Sequence, residues 1–176
     1  HQYAAAGSYD ISLPYVEYSD IDLRDSKIGG IIDASNPFPS VTSYVYLQGL
    51  PNLTWTVDAS TPFPGVTSYV TLYNLPNLTW GSGAATNLHS VGEITYENNL
   101  LQAAVDTVLD DLYSVLDERT KVGTIDLLGG GNAAPTGTSP GSAECPPTTG
   151  WNTAYELVND SCDIAAFHWT SVSLQT

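Results

Sequence analysis

The chain has 176 residues, enough for one domain with a sizeable core. Four Lys and Arg against 19 Asp and Glu give a formal charge of −15. That balance excludes direct nucleic-acid binding, which phosphate neutralisation dominates, and argues against docking on anionic membranes. No apolar run approaches the roughly 18 residues of a membrane helix, so no membrane insertion is expected.

Residues 1–15 have no internal counterpart. The alternation of Tyr9, Ile11 and Leu13 predicts an edge strand, folded back on its own unit or added to a neighbouring subunit. With His1 first and no Met anywhere, the chain is expected either to have lost a leader or to begin where ordered structure begins. Asp20, Asp22 and Asp25 are spaced like part of a calcium loop, but the glycine and distal glutamate of such loops are missing. A solvated strand face is expected there, with Ile21 and Leu23 turned inward.

A repeat follows. Asp33–Trp55 reads DASNPFPSVTSYVYLQGLPNLTW and Asp58–Trp80 reads DASTPFPGVTSYVTLYNLPNLTW; the two differ only at 36/61, 40/65, 46/71, 48/73 and 49/74, at a spacing of 25. Val16, Val41, Val66 and Val91 continue the frame. A fixed period of this size means units that stack and bury their apolar sides against one another. Each unit holds two strand-like runs. In the first, Val66, Val70 and Leu72 face one way and Thr67, Tyr69, Thr71 and Tyr73 the other; in the second, Leu53, Trp55 and Val57 oppose Thr54 and Thr56. Pro51, Pro76 and the Pro-Phe-Pro segments at 37–39 and 62–64 turn the chain between runs. Stacking at this period predicts Phe38 over Phe63, Tyr44 over Tyr69 and Trp55 over Trp80.

From Val91 the pattern becomes V-x-x-I-x-Y-x-x-N-x-L, ending at Asn99 and Leu101, and V-x-x-I-x-L returns through Val122, Ile125 and Leu127. These spacings resemble the L-x-x-L-x-L-x-x-N-x-L strand of leucine-rich repeats, and Leu-Pro-Asn-Leu-Thr-Trp is similar to that family's Leu-Pro-x-Leu-Thr-x-Leu strands. Two runs per unit resemble the short-repeat form of bacterial surface proteins and phage tail proteins. Asn99–Asp106 together with Gly123–Gly137 resembles its closing coil. The resemblance covers about 16–138, with Val and Tyr at many Leu positions, and implies a solenoid of stacked coils.

Between these last runs, Leu101, Val105, Val108, Leu112 and Leu116 follow helical spacing, widened by Ala104, Leu109 and Val115. A helix is predicted over 100–118, capped by Asn98 or Asn99 and covering one end or side of the strands. Asp106, Asp110, Asp111, Asp117 and Glu118 form its polar side. The Gly129–Gly131 triplet lacks the Lys-Ser/Thr of a phosphate loop and opens a linker. Cys145 and Cys162 are expected to pair around 16 intervening residues, which would stabilise by about 3 kcal/mol. They tie a strand-rich cap over Trp151–Thr176, which contains Trp169 and a Val-x-Leu ending, with His168 expected to pack within it.

Three N-x-S/T sequons, at Asn52, Asn77 and Asn159, together with the cysteine pair favour an oxidising, non-cytosolic setting. An N-terminal His can chelate copper given a second His nearby, and His89 and His168 are present, but nothing places either beside His1. No nucleophile elbow occurs. What remains is a surface: Thr42, Tyr44, Tyr46, Thr67, Tyr69, Thr71 and Tyr73 make a Tyr/Thr patch repeated unit by unit. Its apolar rings with polar tips suit protein interfaces and sugar stacking as well as ordinary stacking between strands.

The expectation is therefore a mainly β, leucine-rich-repeat-like solenoid with one amphipathic helix near its C-terminal end and a disulfide-tied cap. Residues 1–15 are an extension, 16–132 the repeat body and 133–176 a loop plus cap. Function is expected to be non-enzymatic, without cofactor or metal: an extracellular, cell-surface or virion subunit that self-assembles into a fibre or appendage. A monomeric adhesion module binding a glycan or host surface protein through the Tyr/Thr face is the first alternative. A carbohydrate-active enzyme using copper on His1, or the acidic residues, is the second.

Overall fold

The computed structural model describes residues 18–25, 29–31, 41–58 and 65–176. The extension 1–15, His1, Val16 and the Pro-Phe-Pro segments with Phe38 and Phe63 lie outside the described residues. The described residues are mainly sheet, with two α-helices and one disulfide. Six strands form an all-parallel sheet in the order β1 (Tyr18–Arg24), β3 (Val41–Gln48), β5 (Tyr69–Tyr73), β7 (Glu93–Glu97), β8 (Gly123–Asp126) and β9 (Trp169–Ser173). A second parallel sheet holds β2 (Gly29–Ile31), β4 (Asn52–Val57) and β6 (Asn77–Trp80). As far as β7, the chain alternates between the two sheets, one strand in each per repeat. The helices α1 (Gln102–Ser114) and α2 (Gly150–Asn159) follow β7 and β8.

Strand pleating sorts the first sheet into inward and outward rows. Ile21, Val45, Val70, Ile94, Ile125 and Val172 align across all six strands on the inner side, and Leu23, Leu47, Leu72 and Tyr96 across the first four. Val41, Val66 and Val91 are all buried, as the frame of the repeat requires. Leu53, Trp55, Val57 and Leu78 of the second sheet complete the same core with the corner residues Leu50 and Leu75. The expected run Val66–Tyr73 forms a shorter strand: β5 starts only at Tyr69, and Ser68, although in phase with Val66 and Val70, is exposed.

Corners leaving the first sheet share one geometry. Asp25, Gly49 and Asn74 directly follow a strand and Asn99 lies two residues past β7, all with φ between 46 and 61°. Only Gly, Asn and Asp enter this left-handed region readily, and at Gly49 a Cβ would also run into Asp25. Each corner N–H donates to the next unit: Asp25 to the Gln48 carbonyl at 2.9 Å, Gly49 to Tyr73 at 3.0 Å, Asn74 to Glu97 at 3.0 Å and Asn99 to Gly130 at 2.7 Å. The backbone groups freed by the turn are thereby satisfied across the stack.

The second sheet corrects one expectation. Tyr44 pairs with Tyr69 at the full repeat of 25, but β4 and β6 pair with Trp55 opposite Leu78 and Val57 opposite Trp80. The slip is two residues, one pleat, so the same side chains still face inward. It also places a Leu rather than a second indole beside the buried Trp55. Trp80 instead lies 5.5 Å from the Tyr96 ring and donates from Nε1 to Asp111 Oδ2 at 3.0 Å.

Helix α1 is shorter than 100–118; a separate 3-10 turn spans Leu116–Glu118. Val105, Val108, Leu109 and Leu112 are buried against β6, α2 and the turn at Ala84–Asn87, whereas Leu101 is 78% exposed. Neither Asn98 nor Asn99 caps it: Leu101 is the N-cap and makes no side-chain cap bond. Asn98 instead closes the Leu75 corner, accepting from its N–H and donating to its carbonyl, both at 2.5 Å. The buried asparagine of the region is Asn132, not Asn99. Its amide donates to the Tyr96 and Leu127 carbonyls and accepts from the Asn98 and Leu100 N–H groups. The acidic side of α1 is not simply solvated either. Asp111 accepts from the Gly83 and Ala85 N–H groups, Asp106 from Thr136 N–H and Asp110 from the Thr153 hydroxyl.

The segment expected as a strand-rich cap holds a second helix, α2, and only its last strand, β9, joins the main sheet. Thr149 caps α2 by accepting from Asn152 N–H. Cys145 and Cys162 are bonded, with Cα atoms 5.6 Å apart. Beneath them the fully buried Glu156 accepts from Glu144 N–H and the Ser161 hydroxyl. Arg119, 4% exposed, lies with its guanidinium carbon 3.4 Å from the Trp169 ring centre and donates to the Val91 and Lys121 carbonyls. It pins the start of β9 to the body.

Candidate functional site

Outward-facing side chains of the six-stranded sheet form three rows. Asp20, Tyr44, Tyr69, Glu93, Thr124 and Ser171 make the first; Asp22, Tyr46, Thr71, Thr95, Asp126 and Ser173 the second; Arg24, Gln48, Tyr73 and Glu97 the third. The structure thus brings together Tyr44, Tyr46, Tyr69 and Tyr73. The Tyr44 and Tyr69 rings stack at 4.5 Å with planes 11° apart, and Tyr46 meets Tyr69 edge-on at 6.5 Å. Burial, with Tyr44 alongside, pushes the Tyr69 phenol up.

Thr42 and Thr67 are exposed near the start of this face, where the Thr67 hydroxyl donates to the Thr42 carbonyl at 3.1 Å. Lys121 Nζ donates to the Thr67 carbonyl beside them. Thr71, expected to point outward, does so but is only 7% exposed, because larger neighbours wall it in.

Sequence reasoning missed the acidic half. Glu93, Thr95 and Glu97 alternate with Ile94 and Tyr96, the same period-2 signal that exposed the tyrosines. With Tyr46, Gln48, Thr71 and Tyr73 they line an open groove of about 300 Å³ crossing β3, β5 and β7. Tyr46 donates to Gln48 Oε1 at 2.9 Å on one wall. Glu97 is held above its ordinary 4.5 by burial first and by the Asp126 charge second. At the β1 end, Arg24 forms an ion pair with Asp22 and lies 4.6 Å from the Tyr46 ring centre. Its guanidinium holds the Asp22 carboxyl below its usual range.

Other candidate residues fall elsewhere. Asp20 lies on the outward face and Asp25 at a corner, and Ile21 and Leu23 turn inward as expected. Among the described residues, one group gathers three residues of metal-ligating type within 4.8 Å, Cys145, Glu156 and Cys162, but the two cysteine sulfurs are bonded to each other. His89 Nδ1 lies 3.2 Å from the Thr86 carbonyl, and His168, expected to be packed, is exposed. The sequon asparagines Asn52, Asn77 and Asn159 are all exposed; Asn77 donates to the Pro51 carbonyl and Asn159 to that of Tyr155. Among the described residues no helix is long and apolar enough to cross a membrane.

Comparison with known proteins adds no relative: no family model, curated protein or solved structure matches the chain.

Proposed function

We propose that this chain is a non-enzymatic, leucine-rich-repeat-like solenoid subunit that assembles end to end into an extracellular fibre or virion appendage. The observation that carries this reading is that, among the described residues, the main sheet is wholly parallel and ends in different strands, β1 on one side and β9 on the other. An exposed parallel edge offers a row of backbone donors and acceptors to any strand of the same direction. The β1 end of one copy, with residues 1–15, meets the β9 edge of the next and continues the sheet in the same sense. Such a contact is heterologous and does not close, so it gives filaments rather than dimers. The disulfide and the exposed sequons support an extracellular setting.

The test is particle size by negative-stain microscopy and light scattering over a range of concentrations. Filaments or concentration-dependent oligomers are expected, reverting towards single subunits when Thr170→Lys and Ser171→Lys place charges on the β9 edge. Particles of 18.7 kDa at every concentration would overturn the reading.

The groove beside the Tyr44–Tyr69 stack favours a second reading, in which the outward face grips a glycan or a host surface protein.

A further inference from the structure

We infer that the groove walled by Tyr46 and Tyr73 receives an arginine or lysine side chain of a protein partner. The inference rests on the second reading of the outward face and is independent of assembly through the sheet edges.

Three observations meet at this groove. The repeat breaks there: of the five places where the two units differ, the pairs 46/71 and 48/73 both line it. Replacing the Tyr46 ring by the small Thr71 one strand later opens the floor, and replacing Gln48 by Tyr73 supplies an aromatic wall. Next, the floor is polar and uncommitted. Thr71 is 7% exposed, yet its hydroxyl makes no hydrogen bond among the described residues. The hydroxyl opens to the groove rather than being sealed from water, so an incoming group can bond it directly.

Third, the chemistry around it selects a cation. Glu93 and Glu97 lie on the β7 side, with Asp126 one strand further. A neutral sugar would leave these carboxylates facing each other, whereas a guanidinium or ammonium offsets them and lies against tyrosine faces. Asp22, Arg24 and Tyr46 already display the combination on the same face. The cation does not come readily from a second copy. Arg24 is held by Asp22, Arg119 is buried and Lys121 donates to Thr67; Lys27 lies outside the described residues.

Saturation-transfer NMR tests this, since it reads weak ligands on single subunits and on assemblies alike. The probe is acetyl-Gly-Arg-Gly-amide, and its neutral counterpart carries citrulline. The arginine peptide is expected to bind about tenfold more tightly than the citrulline one, as one cation–π contact plus one or two partly screened ion pairs allow. Thr71→Tyr restores the residue of the preceding unit, fills the floor and is expected to abolish the signal with the fold intact. Glu93→Gln with Glu97→Gln should weaken binding about tenfold, while Asp117→Asn with Glu118→Gln, the same charge change at exposed sites, should leave it unchanged.

Equal binding of both peptides, retention in Thr71→Tyr, or equal loss in the two charge variants would each overturn the inference. Binding of maltotriose or diacetylchitobiose with none of the arginine peptide would overturn it while sparing the second reading. Silence from peptides and sugars alike would count against both.

Discussion

Tyr44 and Tyr69 occupy the same place in successive units, and their rings lie 4.5 Å apart across the β3–β5 ladder. Offset stacks of this kind contribute about 0.5–1.5 kcal/mol beyond the area they bury. A double-mutant cycle of Tyr44→Ala and Tyr69→Ala, read by chemical denaturation, is expected to return a coupling of about 1 kcal/mol. Additive single costs would mean that the rings are neighbours without being partners.

Asn132 should be the most sensitive polar residue of the core. Its amide serves four backbone groups at once, and truncation leaves two carbonyls and two N–H groups unsatisfied. Asn132→Ala is expected to cost about 3 kcal/mol, and Asn132→Asp, unable to donate to both carbonyls, nearly as much. Asn52→Ala, at an exposed position of β4, serves as the contrast; denaturation midpoints decide it.

Arg119 presents the opposite case. It is buried with Nε and Nη1 unpartnered among the described residues, and burial pulls its pKa down to about 10. Replacing a desolvated charge by an apolar chain of similar length is often neutral or stabilising. Arg119→Met is therefore expected within about 1 kcal/mol of wild type or above it, whereas Arg119→Ala, which empties the space over Trp169, should lose about 2 kcal/mol. Tryptophan fluorescence during chemical unfolding follows both.

Glu97 carries a pH signature. Burial raises its folded-state pKa above the ordinary 4.5, so the folded chain holds this proton more tightly than the unfolded one. Its contribution to stability is fully present below 4.5 and is lost as pH rises through the folded value. Glu97→Gln should accordingly raise the melting temperature near pH 7 and converge with wild type near pH 4. A pH-independent difference would place the effect in packing instead of ionisation.

Much of this arrangement was legible in the residues. A spacing of 25 fixes the Tyr44–Tyr69 register, alternation separates Leu47 and Leu72 from the tyrosines, and two cysteines leave one pairing. What escaped has physical causes. A period sets which residues are equivalent but not how far one strand slides along the next, so Trp55 and Trp80 part by one pleat. The corners were read from prolines, though the left-handed turns fall on Asp25, Gly49, Asn74 and Asn99, whose common residue types at the strand ends were the available signal. Helix α2 is short and interrupted by Thr153 and Glu156 on its buried side, which blunts its periodicity; Thr149, following two prolines, marked its start. The groove required strand order, because Glu97 and Tyr46 are far apart in sequence and come together only through β5.

The corner hydrogen bonds have a genetic corollary. Because Gly49 and Asn74 each hand their N–H to the closing carbonyl of the strand that follows, a duplicated module would find on either flank the same acceptors that its template already uses. An inserted module would thus be held by bonds already in use, and the stack could lengthen or shorten in steps of one unit without redesigning a seam.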